Sequence, residues 1–335
     1  MTSPRAICVG EGLVVLVAEP GPLENSETFT RSAGGAEANV ARVLAQLGVS
    51  SSWISRVGND GFGRYLLTQL VDAGVDVSAV VLDETRPTGM YVKQRGGGTG
   101  SEWDLPDGDS RMTYFRTGSA ASALSPRDIG GGAAADAIGS AEIVHFSGIT
   151  VALSESAERM TRALIAGDGL VSFDLNYRPA LWANRIDDAS RVLADHVRGS
   201  DVVLMGADEA GVVFGLDDPA ALRAEFPEPR HLVIKNDAHV VTAFDGDERV
   251  DVPALRLDVV EKIGAGDAFA GGFLGGLLNG VSAEGRVRLG HLCAAGALTA
   301  RGDVATILAG PSLDAAIGLS ADEWTRIHYG ELVSV

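Results

Sequence analysis

The chain has 335 residues, 46% of them hydrophobic, and a formal net charge of −18. Its length passes the usual single-core ceiling of about 250–300 residues, so one large domain plus an accessory piece is expected. Such acidity speaks against nucleic acid, which needs a basic face, and against anionic membrane surfaces, which would repel the chain.

The 6–17 segment is a strand candidate interrupted by Gly10-Glu11-Gly12; it lacks a basic leader and reads as buried strand, not signal peptide. The 19–31 segment is polar and turn-rich. Helical spacing over 36–47 ends at Gly48, 52–57 reads as a strand, and 61–73 is a helix closed by Gly74. Within 86–116, two strand-like runs (88–94 and 112–116) flank a glycine-rich, acidic tip. A hairpin fits, either as surface decoration or as a lid, and Tyr91, Tyr114 and Arg116 on its strands favour the lid. Short Val- and Ile-rich strands at 142–146, 170–174, 201–205, 231–235 and 240–244 alternate with helical stretches, among them 155–166, 267–278 and 285–300. That alternation predicts a mostly parallel sheet covered on both faces. Gly271, Gly272, Gly275 and Gly276 inside the 267–278 helix imply close backbone packing there. Cys8 and Cys293 lie in apolar segments outside any metal or redox spacing and read as buried thiols. No uncharged apolar run reaches membrane-spanning length, so a cytoplasmic address is expected.

Two segments carry chemistry. In Gly264-Ala265-Gly266-Asp267, small residues turn the backbone before a helix expected to start at Asp267. Bare amides there would hold an anion, with Asp267 beside them as a proton acceptor; the alternative is a plain turn with Asp267 as N-cap. Phe269 stands where a dinucleotide fingerprint needs glycine, and none of Lys93, Lys235 and Lys262 follows a glycine as a Walker A lysine must. Upstream, Gly34-Gly35 precedes the helix that carries Asn39, so a ligand could approach the backbone.

Together these segments, in this order and separation, resemble the hallmarks of the ribokinase (PfkB) family of carbohydrate kinases. The resemblance implies a three-layer α/β/α sandwich with a mostly parallel central sheet, over 1–335 as one domain, with a small β lid from about 14–33 and 86–117. It implies Asp267 as catalytic base and the amides of Gly264, Ala265 and Gly266 as anion hole. Gly34, Gly35 and Asn39 would contact the sugar, Lys235 and Asp237 would lie on the nucleotide side together with Gly264 and Gly266, and Glu209 would help position Mg2+ through water. ATP and Mg2+ are the expected cofactors, a monovalent cation a further candidate, and a homo-oligomer the expected assembly. More finely, Thr88-Gly89-Met90-Tyr91, the 114–122 run and Asp174-Leu175-Asn176-Tyr177-Arg178 resemble 2-keto-3-deoxygluconate kinases, with Tyr91, Tyr114, Arg116 and Arg178 facing a sugar acid. An arginine fork suits a carboxylate.

The donor side departs from the family pattern. Glu261-Lys262 replace a common Asp-Thr, Gly206 a common asparagine, and Asp237 and Val240 the glycines of the nucleotide loop. A kinase of a neutral sugar such as fructose or ribose, or of a nucleoside, is the alternative. A non-catalytic sugar-acid sensor is the second alternative.

Overall fold

In the computed structural model, residues 4–236, 239–261, 263–300, 307–308 and 310–333 are described. The strands are β1 (Ala6–Val9), β2 (Leu13–Pro20), β3 (Phe29–Gly34), β4 (Ser51–Ile54), β5 (Arg56–Gly58), β6 (Val81–Asp83), β7 (Met90–Arg95), β8 (Ser110–Phe115), β9 (Ile143–Ser147), β10 (Leu170–Asp174), β11 (Val202–Gly206), β12 (His231–Asn236), β13 (Val240–Asp245) and β14 (Glu248–Pro253). Eight of them form one sheet in the order β14-β13-β12-β11-β10-β9-β1-β4. Pairing is parallel from β12 to β4, and β13 and β14 close one edge as antiparallel strands. Strands such as β9 and β11 are buried at every position, as a sheet covered on both faces requires. A hydrophobic cluster with Phe146, Phe173 and Trp182 packs on one face, and one with Trp53, Phe269 and Trp324 on the other.

A second sheet, in the order β3-β2-β7-β8, stands beside the first. The expected strand at 6–17 is therefore two strands in two sheets: the Gly10-Glu11-Gly12 break carries the chain from β1 into β2. Likewise 52–57 divides at Ser55 into β4 and β5, and β5 pairs with β6 in a small separate ladder. The polar 19–31 segment is less irregular than expected. It holds the end of β2, a short 3-10 turn at Leu23–Asn25 and the start of β3. Its polarity reflects exposure: Phe29, Thr30 and Arg31 are solvent-facing positions of β3.

Helix Ala265–Leu278 is the hub of one helical layer. A β-carbon on Gly271 would fall 2.6 Å from the Val43 side chain on helix Ala36–Gln46, and one on Gly272 would fall 2.7 Å from the Leu289 carbonyl on helix Ala283–Leu298. The glycine pairs thus seat two neighbouring helices against the hub on separate faces. Among the described residues no helix is long and apolar enough to cross a membrane.

Candidate active site

The parallel strands end on one edge of the sheet, where chain direction switches to loops and helices, the usual location of sites in such sheets. Asp174 ends β10, Lys235 lies near the end of β12, and Gly206 ends β11. Opposite them, the small sheet presents Leu13, Tyr91, Met112 and Tyr114. Between these walls lies a cleft of about 420 Å³. It is lined by Gly34, Gly35, Asn39, Tyr91, Tyr114, Arg116, Arg178, Glu209, Lys235, Gly264, Gly266 and Asp267. Residues expected from segments more than two hundred positions apart thus share one cavity. Of the remaining expected residues, Ala265 is the first helical residue but does not line the cleft, and Asp237 lies outside the described residues, as does Lys262.

The glycine-rich turn differs from expectation in register. Helix Ala265–Leu278 begins two residues before Asp267, with Gly264 as N-cap in the left-handed region at φ +78°. Asp267 is therefore in the first turn and not the cap. The first α-helical bond here runs from the Ala268 N–H to the Gly264 carbonyl, at 2.9 Å. The amides preceding Ala268 have no intrahelical acceptor and face the cleft end of the helix.

Asp267 is held from two sides. Asn39 Nδ2 donates to Oδ2 at 2.9 Å, and Asn176 Nδ2 approaches Oδ1 at 3.5 Å. Burial pushes its pKa up to about 6; the Asn39 hydrogen bond opposes this, the Asp174 charge adds to it, and Lys235 and Arg178 oppose it. A helix start favours the ionised form, but burial is the larger effect. The group remains mostly ionised at neutral pH and is poised near the range a general base requires. Asn176 has φ +35°, a conformation uncommon outside glycine and typical of strained functional positions.

Lys235 Nζ lies 3.2 Å from Asp174 Oδ2. Burial alone would lower its pKa, yet Asp174 and Glu209 outweigh burial and hold the ammonium charged. A β-carbon on Gly266 would be 3.8 Å from that nitrogen, so the lysine head abuts the glycine-rich turn. Arg178 Nη1 donates to Glu209 Oε1 at 3.0 Å, and burial raises the Glu209 pKa against the pull of Lys235.

On the other wall, Tyr91 and Tyr114 face each other across β7 and β8, with ring centroids 5.1 Å apart. The Arg116 guanidinium lies 5.2 Å from the Tyr114 ring and forms an ion pair with buried Glu11. Gly35 must be glycine: its φ is +131°, and a β-carbon would sit 2.3 Å from the Glu11 carbonyl. Behind this wall, buried Glu37 accepts from Ser147 N–H at 2.9 Å and from the Ser147 and Thr150 hydroxyls at 2.7 Å each. These bonds tie the start of helix Ala36–Gln46 to the end of β9.

Sequence reasoning did not single out Glu11, Asp174 or Asn176 as site residues. A signal existed for two of them. Asp174, Asn176 and Arg178 alternate at a strand end, and period two puts them on one face; all three line the cleft. Glu11 had no such signal, because its role follows from a chain crossing between sheets.

A glycine-capped turn carrying an acid thus faces a pocket bordered by a small β sheet. A model described as pfkB family carbohydrate kinase matches residues 4–308. The chain belongs to this family. It is 36% identical over 301 residues to a 2-dehydro-3-deoxygluconokinase of Thermoproteus tenax, covering 89% of each chain. It is 32% identical over 315 residues to a 2-dehydro-3-deoxygluconokinase of Bacillus subtilis (strain 168), covering 89% of this chain and 91% of the relative. The solved PfkB protein of Polaromonas sp. JS666 superposes with a TM-score of 0.78 at 32% identity, over 87% of this chain and 95% of that one. An uncharacterized sugar kinase of Pyrococcus horikoshii, solved in complex with ATP, gives a TM-score of 0.75 at 28% identity, over 89% and 93%. The protein is a carbohydrate kinase with the ribokinase-like α/β fold.

Proposed function

We propose that this kinase transfers the γ-phosphoryl group of ATP to the terminal 6-hydroxyl of 2-keto-3-deoxygluconate. The observation that carries the reading is the cleft's opposed chemistry: Asp267 and bare helix amides on one side, the Tyr91–Tyr114–Arg116 wall on the other. The names of the most similar curated relatives support the same substrate class.

In this reading Arg116 takes the substrate carboxylate by a forked contact, and Tyr91 and Tyr114 flank the carbon chain. Gly34, Gly35 and Asn39 hold the hydroxyl end near Asp267. Asp267 accepts the hydroxyl proton while the oxygen bonds to the γ-phosphorus and the bond to the β-phosphate oxygen breaks, releasing ADP. The amides at Gly264, Ala265 and Gly266 and the Lys235 ammonium stabilise the charge on the transferring group. Asp267 then returns the proton to water. Mg2+ is usually bound by one or two carboxylates plus waters and phosphates, a donor set that Glu209 and Asp174 beside the turn can meet. When bound it would neutralise phosphate charge. Asp237 is assigned to the nucleotide side in the same proposal, as is assembly as a homo-oligomer, with edge strand β8, exposed along its length, as its candidate face.

A coupled ADP-release assay across keto-deoxy sugar acids and neutral sugars is the test. The expected result is kcat/KM highest for 2-keto-3-deoxygluconate; equal or higher values for fructose or ribose overturn the substrate assignment. Repeating it without potassium tests the monovalent-cation expectation. One observation favours the neutral-sugar reading: Arg116 is already paired with Glu11, so an acid must compete for it.

A further inference from the structure

A second concavity, of about 660 Å³, shares no lining residue with the catalytic cleft. Its walls carry Arg86, Arg127 and Arg159 together with Ser122, Ser125 and Ser156, and no carboxylate lines it. That composition is unusual in a chain with 45 acidic against 27 basic residues. Two nearby acids are buried and neutralised by Arg56. Asp83 and Asp128 are buried and both bind Arg56, at 2.9 and 2.8 Å. Asp128 also accepts from the Ser125 amide and hydroxyl. Arg86 keeps only a long contact to Asp83, at 3.4 Å, and Arg159 a loose one to Glu155, at 3.8 Å between two largely exposed side chains. Among the described residues Arg127 has no ion pair.

Three guanidinium groups around one concavity repel one another, and the overall field of the chain repels anions; a bound polyanion relieves the first and is held locally against the second. The hydroxyl protons of Ser122 and Ser125 are committed to the Ser119 carbonyl and Asp128, leaving the arginines as the main donors. Guanidinium forks match phosphate oxygens in pairs. We propose that this outer cleft binds small phosphorylated anions carrying at least two negative charges. Its position gives such a ligand a reach across the foot of the small sheet. Arg86 precedes β7, the 122–127 stretch follows β8, and the two are joined by the Ala120 N–H to Pro87 carbonyl bond at 2.8 Å. Arg159 adds helix Glu155–Ile165 as the third wall.

The test is calorimetric titration of inorganic pyrophosphate, and separately of 6-phosphogluconate, into the intact protein and three variants. Pyrophosphate should also enter the catalytic cleft, so Lys235→Ala isolates the outer site and Arg127→Glu/Arg159→Glu removes it. Saturable outer binding should persist in Lys235→Ala, weaken with added salt, and weaken about a hundredfold in the double variant. Arg127→Gln alone should show a smaller loss. Tighter binding of 6-phosphogluconate assigns the site to phosphate esters, and tighter binding of pyrophosphate to inorganic phosphates. Double-variant isotherms identical to those of the wild type, or loss of all binding in Lys235→Ala, overturn the proposal. Both substituted arginines are exposed, so an unchanged unfolding midpoint is expected. Because binding is read without turnover, the outcome is independent of which sugar acid the kinase uses.

Discussion

The two arginines of the cleft are held by acids in opposite environments. On the small-sheet wall, Arg116 is 12% exposed at its side chain and its partner Glu11 2%. On the opposite wall, Arg178 is 50% exposed and Glu209 19%. A charge pair screened by water contributes little, whereas a buried one resists loss of either member strongly. Arg116 is thus a buried, poorly screened cation, and Arg178 a solvated one. Two arginines that look equivalent in sequence are expected to differ in how much they discriminate between substrates.

The sharpest break of this picture would come at Asp267, which lies between the walls. Asp267→Asn should lower kcat by about a thousandfold or more while leaving sugar-acid affinity within a few-fold. Near-wild-type turnover would remove Asp267 from that role. Next, Arg116→Ala should lower kcat/KM for the keto-acid by about a hundredfold, with little change for its reduced, uncharged analogue. An equal loss for both analogues would make Arg116 a structural residue held by Glu11. The pH profile comes third. Since burial lifts Asp267 to about 6, its carboxylate is ionised above that value and protonated below it. kcat/KM should therefore be flat near pH 8 and fall about tenfold per unit below pH 6. A limb centred near pH 4 would mean an unshifted base. Arg178→Ala should cost only a few-fold, in keeping with its screening; a loss matching that of Arg116→Ala would erase the contrast between the walls. Finally, Gly272→Ala should destabilise the protein by about 1–3 kcal/mol, read as a lowered unfolding midpoint, through collision with the Leu289 carbonyl.

The sheet was legible because its strands are short, apolar runs with no polar alternation, which only a doubly covered sheet accommodates. The tight turn before a helix was legible because Gly264, Ala265 and Gly266 combine backbone freedom with small size, and Asp267 follows at once. Helix register was not: Gly264 in the left-handed region starts the helix earlier than side-chain preferences suggest. The break at Gly10-Glu11-Gly12 was visible, but no local pattern tells a bulge from a passage between two sheets. Glu11 was missed for the same reason, since its partner Arg116 comes 105 residues later. Lys235 was expected on the nucleotide side, and only the tertiary fold brings its ammonium against Asp174 and Gly266.

The glycine contact at Val43 has a reach beyond packing. Asn39 and Asp267 sit near the starts of two helices that touch, backbone against side chain, further along their lengths at Gly271. The spacing between the Asp267 carboxylate and its carboxamide partner is thereby set by a joint remote from the cleft. A side chain larger than glycine at 271 would push the two helices apart and so lengthen the Asn39–Asp267 contact.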